Sequence, residues 1–330
     1  MIITKTPFRM SFFGGGTDFP EFYREHGGAV LVTTFDKYCY VNVRRLPPFF
    51  DYSTELSYSV IERVGDIGDI RHPAIREAMK YLDMRDIRLT YEADLPARSG
   101  LGTSSSFAVG MLSAFYALTG KHKSNRQLAD DAIYLERTLC SETGGVQDQI
   151  AAAFGGFNRI EFNENGYTVN PLIISNARKK ELDDNLIMFF TGFSRFSADI
   201  QADTQKALKD KTKQLLEMKQ LVYDAEKILT SSSGLNDFGK LLDYTWKIKR
   251  GISTGISTGS IDSIYDTAMK NGAAGGKLLG AGGGGFFVFY CEKDKQPSLI
   301  KALEKFLYVP FAFENEGTRV IHYTPEDSGA

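Results

Sequence analysis

No stretch of this chain is long and apolar enough to cross a bilayer, and its first residues, Ile2-Ile3-Thr4-Lys5-Thr6, read as a strand, without the apolar run of a secretory leader. Cysteine is scarce: Cys39, Cys140 and Cys291 are isolated, odd in number and set in apolar neighbourhoods. Such a set offers neither a disulfide framework nor metal-ligand spacing, and it reads as reduced core thiols of a cytoplasmic protein. The four histidines, His26, His72, His122 and His322, are equally scattered, which argues against a histidine metal centre. Neither sign of charge dominates, with 39 basic against 41 acidic residues and a formal net charge of −2. That balance, with no basic stripe studded with aromatics, excludes bulk attraction to nucleic acid or to an anionic membrane. Also missing are a low-complexity linker, a nucleophilic serine elbow, a cysteine–histidine pair and the Gly-Lys-Ser/Thr ending of a Walker A loop.

What the chain does have is clustered glycine. The central cluster lies in Leu95-Pro96-Ala97-Arg98-Ser99-Gly100-Leu101-Gly102-Thr103-Ser104-Ser105-Ser106. Before it, Ile87-Arg88-Leu89-Thr90-Tyr91-Glu92 alternates apolar and polar, the period of a half-buried strand. After it, Phe107, Ala108, Met111, Leu112, Phe115 and Leu118 recur at helical spacing, and Gly120 stands where a helix C-terminal glycine belongs. Strand, glycine loop, helix is an order that brings backbone and hydroxyls to the positive end of a helix, where unpaired N–H groups favour a phosphate. A serine-rich N-cap on a core helix uses the same residues, and this stretch alone leaves the two readings level.

Two further glycine-rich stretches flank it: Pro7-Phe8-Arg9-Met10-Ser11-Phe12-Phe13-Gly14-Gly15-Gly16-Thr17-Asp18 and Lys277-Leu278-Leu279-Gly280-Ala281-Gly282-Gly283-Gly284-Gly285. In order and separation the three resemble the motifs of the galactokinase, homoserine kinase, mevalonate kinase and phosphomevalonate kinase (GHMP) family. Within it, the chain is most similar to the D-glycero-D-manno-heptose 7-phosphate kinases. The marks of that branch are Gly14-Gly15-Gly16-Thr17-Asp18, His72-Pro73, Gly145-Val146-Gln147-Asp148-Gln149 and the run from Trp246 to Gly285. The resemblance spans nearly the whole length, and three motifs in order are specific where any one is weak. It implies an α+β protein with an N-terminal α/β domain like a ribosomal-protein fold and a C-terminal ferredoxin-like domain. Gly280 to Gly285 also fits G-x-G-x-x-G, but a dinucleotide site follows a strand and opens a helix. Here the glycines follow a helix read over Ile261 to Asn271 and enter a strand at Phe286 to Tyr290, so a Rossmann site is rejected.

At 330 residues there is room for two domains, read here as 1–170 and 171–330 and packed on one another around the site. Asp18-Phe19-Pro20-Glu21 looks like a helix start capped by Asp18. Strands are expected at Ala29 to Thr34 and Lys37 to Arg44, and Leu46 to Ile70 reads as irregular, its aromatics belonging to core and rim. A helix opened by the capping box Ser124-Asn125-Arg126-Gln127 carries Glu136 on a stripe with Ala129, Ile133 and Cys140. A carboxylate among apolar neighbours needs a partner. Later helices are expected at Phe196 to Leu229, with one break, at Asp237 to Arg250 and at Ser298 to Leu307, and late strands at Phe311 to Phe313 and Thr318 to Tyr323.

The resemblance implies an ATP-dependent kinase using Mg²⁺ and acting on a small-molecule sugar phosphate, at the anomeric hydroxyl of a heptose 7-phosphate. Ser99, Gly100, Leu101, Gly102, Thr103, Ser104 and Ser105 would bind ATP, and Ser104 with Glu136 would hold the metal, a hard cation that takes oxygen ligands. Asp148 falls on the family's catalytic aspartate and Arg9 on its basic residue beside the attacking oxygen. Gly15, Gly16, Thr17, Asp18, Gly282, Gly283 and Gly284 would contact the sugar. Each has a plainer reading: N-cap for Ser104 and Asp18, a buried arginine pair for Glu136, helix stabilisation for Asp148, a strand-edge ion pair for Arg9 and a tight turn for the glycines. Arg195, Lys247, Lys249 and Arg250 are candidates for holding the acceptor's distal phosphate. Other readings are a fucose- or mannose-type sugar kinase, a non-catalytic sugar or nucleotide sensor, and a nucleic-acid module.

Overall fold

Apolar side chains recurring along Ile2–Phe13 make it a long strand, β1, which pairs antiparallel with β2, Gly28–Arg45. The computed structural model describes residues 1–97, 99–192, 205, 210–252 and 255–324. The sequence divides β2 into two strands, but the chain stays one strand and absorbs Asp36 and Lys37 in a bulge, where the register slips between Pro7↔Tyr38 and Phe8↔Phe35. On its other edge the bent strand pairs with β6 (Phe157–Asn163) along its first half and with β5 (Ile87–Ala93) along its second. Strand β7 (Gly166–Pro171) adds to β6. Residues 46–70 are not wholly irregular, since they hold a hairpin of β3 (Thr54–Ser57) and β4 (Ile61–Val64), with β3 parallel to β5. Helices α2 (Pro73–Tyr81), α3 (Thr103–Leu118), α4 (Asn125–Tyr134) and α5 (Gln147–Phe154) build one hydrophobic core with this sheet. Helix α3 is buried almost all round, between the sheet and the helices α4 and α5.

A second, antiparallel sheet has the order β11-β8-β10-β9, from β8 (Leu186–Phe190), β9 (Ala273–Leu278), β10 (Phe286–Cys291) and β11 (Leu307–Tyr308). Its helices are α6 (Asn176–Asp184), α7 (Thr212–Thr230), α8 (Asn236–Arg250), α9 (Gly259–Lys270) and α10 (Gln296–Ala302). Helices lie between β8 and β9 and between β10 and β11, the ferredoxin-like arrangement that the family resemblance implied. Helix α7 is the described part of the helix expected from Phe196; the start of that expectation lies outside the described residues. Strand β9 has no counterpart in the sequence reading, because Ala273-Ala274-Gly275-Gly276 lacks branched and aromatic residues. Its glycines let α8 lie on the sheet: a Cβ on Gly275 would come within 1.9 Å of the Gly239 carbonyl oxygen. The glycines that follow therefore join two strands, still not the strand-to-helix setting of a dinucleotide loop.

The late strands expected in the 171–330 segment, β12 (Phe313–Glu314) and β13 (Arg319–Tyr323), pair with β2 and β1 in the first sheet. A shared core joins the layers, where Phe8, Phe12 and Phe13 of β1 pack with Val222 of α7, Phe238 and Leu242 of α8, and Phe286 and Val288 of β10. Phe12 and Phe238 meet edge to face, their centroids 5.4 Å apart. The candidate site opens beside this core.

Candidate active site

Three loops border a cleft of about 1050 Å³: the one after β1, the one leading into α3, and the β9–β10 connection. Two of them touch backbone to backbone. A Cβ on Gly100 would lie 2.5 Å from the Leu279 carbonyl oxygen, and one on Gly280 would lie 2.3 Å from the Gly100 Cα. Both glycines also have positive φ, +83° and +75°, which a side chain would strain. Gly280→Ala is therefore expected to lower the unfolding free energy by about 2 kcal/mol or more, read by urea denaturation. An unchanged midpoint and slope would contradict this seam.

The serines at the start of α3 do not cap it. Gly102, with φ of 72°, holds the N-cap position, and no side chain caps the helix. Ser106 Oγ instead donates to the Pro7 carbonyl at 2.9 Å, tying α3 to β1. Ser104 Oγ and Ser105 Oγ donate to the two oxygens of Glu136, at 3.0 and 2.7 Å. Glu136 stands in a π-helical turn, Leu135–Leu139, that continues α4. Only 3% exposed, it also accepts from Gln149 Nε2. The arginine pair considered for it is not formed among the described residues. Burial, then the nearby Glu142, pushes its pKa up to about 7, against the pull of the three donors. The result is a buried carboxylate beside the helix N-terminus with no cation partner among the described residues.

Asp148, in the first turn of α5, meets Arg9 in a two-pronged ion pair: Nε donates to Oδ1 and Nη2 to Oδ2, both at 2.6 Å. Arg9 Nη1 also donates to the Gly100 carbonyl at 2.8 Å, which links this pair to the glycine loop. The strand-edge pair read for Arg9 thus exists, but its partner is Asp148 itself, inside the cleft.

Asp18 is not the cap of α1 (Pro20–His26), whose N-cap position is Phe19 with no side-chain bond. Its carboxylate accepts from the N–H groups of Gly16 at 3.0 Å and Gln147 at 3.2 Å, and its carbonyl accepts from Val146 at 3.1 Å. Asp18 therefore satisfies the N-terminus of α5, a helix far away in sequence. Gly145 permits the approach, since a Cβ there would lie 1.8 Å from Asp18 Oδ2. Burial and then the charge of Asp148 raise the pKa of Asp18, while its backbone donors pull the other way.

Arg9, Gly15, Gly16, Asp18, Gly100, Gly102, Thr103, Ser104, Ser105, Glu136 and Asp148 all line the cleft. The other named residues stand behind it. Thr17 Oγ1 donates to the Gly14 and Ala29 carbonyls, each at 2.8 Å, and braces its loop. Leu101 is part of the shared core, and Ser99 is buried. Gly282 and Gly283 pack on Ile256, the Gly283 N–H donating to its carbonyl at 3.0 Å. Gly284 does not line the cleft either; Gly280 and Ala281 are the lining residues of that loop. Sequence reasoning missed Lys277, inside the third motif, and Glu142. It also missed an aromatic end of the cleft formed by Tyr58, His72, Tyr91 and Phe107. The His72 ring lies 5.1 Å from Tyr58 and 5.4 Å from Phe107 between centroids, and its buried Nδ1 has no partner among the described residues. Burial lowers the pKa of His72.

No group of three or more His, Cys, Asp or Glu side chains converges on a metal position among the described residues. A magnesium ion here would draw on Ser104, Glu136, phosphate oxygens and water, and the cation-free Glu136 carboxylate fits that donor set.

A helix N-terminus, a buried carboxylate and an arginine-paired aspartate thus line one cleft. The chain belongs to the GHMP kinases: the family's N-terminal domain matches residues 70–156 and its C-terminal domain matches residues 225–309. It is an ATP-dependent sugar kinase. It is 34% identical to the D-glycero-alpha-D-manno-heptose 7-phosphate kinase of Campylobacter jejuni, over 96% of this chain and 98% of that one. The crystal structure of a D-glycero-D-manno-heptose 1-phosphate kinase from Bacteroides thetaiotaomicron superposes with a TM-score of 0.79 and 25% identity, covering 98% of this chain and 99% of that one. The L-fucokinase/L-fucose-1-P guanylyltransferase of Bacteroides fragilis is 28% identical over 64% of this chain, which spans 23% of that protein. Among the described residues no helix is long and apolar enough to cross a membrane.

Proposed function

We propose that the protein transfers the γ-phosphoryl group of ATP to the anomeric hydroxyl of D-glycero-D-manno-heptose 7-phosphate. The product is the 1,7-bisphosphate, which would feed nucleotide-activated heptose for surface polysaccharide. The reading is carried by one juxtaposition: the Arg9–Asp148 pair is tied to the glycine loop through the Gly100 carbonyl. The choice of sugar is supported by the likeness to the Campylobacter jejuni heptose 7-phosphate kinase along both chains.

In this reading the 1–170 segment binds the nucleotide and the 171–330 segment closes the acceptor side. The N-terminal turn of α3 receives the ATP phosphates through backbone N–H groups that no side chain caps. Ser104 and Glu136 would hold magnesium, which would supply charge neutralisation to the phosphates. The aromatic end of the cleft, formed by Tyr58, His72, Tyr91 and Phe107, takes the nucleobase. Asp148 orients the acceptor hydroxyl and takes its proton, while Arg9 fixes the carboxylate and favours developing negative charge on the attacking oxygen. Asp18 spends one hydrogen bond per carboxylate oxygen on backbone, and the remaining lone pairs accept from sugar hydroxyls.

A phosphorylation assay with ATP and Mg²⁺ across D-glycero-D-manno-heptose 7-phosphate, mannose, mannose 6-phosphate and fucose tests the substrate. The expected result is a kcat/KM for the heptose phosphate at least about tenfold above every free hexose. The fucokinase likeness makes fucose the competing acceptor. A free hexose that equals the heptose phosphate overturns the substrate assignment and leaves the kinase standing.

A further inference from the structure

Of the four cations that the sequence offers for a second anion site, Arg195 lies outside the described residues. Lys247 is exposed and donates to Asp243 at 2.6 Å. Arg250 donates to Asp262 at 2.8 Å and lies over the rings of Trp246 and Tyr265. Those two already have partners. Lys249, one residue along α8, lines the cleft, where its Nζ donates to the carbonyls of Leu278 at 3.0 Å and Gly280 at 2.6 Å. Lys277, on β9, also lines the cleft, is 3% exposed and donates to the Phe12 carbonyl at 2.8 Å.

Among the described residues, neither ammonium has a carboxylate within hydrogen-bonding distance. An ammonium has three donors, so one remains on Lys249 and two on Lys277. Burial and then Arg9 push the pKa of Lys249 down to about 7; burial, Lys249 and Arg9 lower that of Lys277, against the attraction of Asp18. Without a counter-charge a sheltered lysine gives up its proton more readily, and a bound anion restores the charged, three-donor form. In the proposed function the ATP phosphates take the α3 N-terminus and the magnesium that Ser104 and Glu136 would hold, which leaves the two lysines for a second anion. Lys277 is near enough to Asp18 for that carboxylate to favour its charged form.

We infer that Lys249 and Lys277 form a subsite for a phosphate monoester carried by the acceptor sugar. This rests on the kinase reading of the cleft and gives the preference for a phosphorylated sugar a physical origin. The plainer role for both lysines is to tie down the Leu278, Gly280 and Phe12 carbonyls, and the test must separate the two.

The measurement is the ratio of kcat/KM for heptose 7-phosphate to that for the unphosphorylated heptose, in the full chain and in Lys249→Gln and Lys277→Arg. Lys249→Gln is expected to lower this ratio on the order of 10- to 100-fold, the scale of a charged hydrogen bond. Lys277→Arg keeps the charge and is expected to lower it less. Melting temperatures check that each variant is folded, and the arginine variant keeps the test open if neutral replacements of Lys277 do not fold. An equal fall for both sugars, with the ratio kept, overturns the subsite and leaves the substrate reading intact. A raised KM for ATP at a constant ratio also overturns it, by assigning the lysines to the transferred phosphate. A wild-type ratio at or below one overturns the substrate reading itself, a different result from either.

Discussion

Asp148→Asn is expected to lower kcat on the order of 100-fold or more, with the fold and the affinity for ATP preserved. The substitution is nearly isosteric and stands in the first turn of α5, where asparagine is tolerated. It removes the charge and replaces one of the two oxygens that accept from Arg9, at Oδ1 and Oδ2. An amide neither accepts the acceptor's proton nor balances the guanidinium. Arg9 keeps its bond to the Gly100 carbonyl, so the phosphate loop stays in place. Single-turnover rates at saturating ATP and sugar isolate the chemical step from binding. The predicted signature is a large fall in that rate with KM for ATP changed by less than about threefold. A folded variant that turns over like the wild type would remove Asp148 from the chemistry and leave it as a helix-end residue.

Why this carboxylate was legible in the sequence, and Asp18 was legible only in part, comes down to range. Asp148 was named by the resemblance of Gly145-Val146-Gln147-Asp148-Gln149 to a family motif, and its setting at a helix start after a glycine pair is local. The N-cap pattern around Asp18 is just as local, yet the structure overrides it, because α1 starts at Phe19-Pro20 and the carboxylate is drawn to the bare N-terminus of α5. Glu136 was legible as a carboxylate on an apolar stripe, and the resemblance paired it with Ser104, but Ser105 and Gln149 as further partners were not legible. The hydroxyls of Ser104 and Ser105 reach it from another helix, through a π-turn that no propensity announces. Strand β9 escaped because its residues are chosen for the close approach of α8 and not for strand propensity. Lys249 looked like one of three interchangeable helix cations until Lys247 and Arg250 were seen in ion pairs. The aromatics at the far end of the cleft come from segments that adjoin only through the sheet and α3, so periodicity had nothing to report. Local chemistry was readable; convergence was not.

Glu136→Gln should move activity and stability in opposite directions. With its charge gone, the pair formed with Ser104 is a poorer ligand set for a hard cation, so turnover should fall on the order of 100-fold at limiting Mg²⁺ and the magnesium titration should shift to higher concentration. Stability follows from the raised pKa. Burial first and Glu142 second bring the folded-state value up to about 7, while an unfolded glutamate titrates near 4.3. A carboxyl whose pKa is raised by folding contributes its full stability below the unfolded value. It loses that contribution as pH climbs from about 4 through 7, because ionisation is then easier in the unfolded chain. Glutamine is neutral throughout and suffers no such loss. In the absence of divalent metal, the variant should therefore be more stable than the wild type at pH 8, by on the order of 3 kcal/mol. The advantage should shrink towards zero near pH 4. Melting curves of both proteins across that range, in chelator, measure it directly. A pH-independent difference in melting temperature, with a magnesium titration that overlays the wild type, would sink the assignment. The opposite outcome would mark Glu136 as a charge retained at the expense of the fold, where a bound cation would neutralise it.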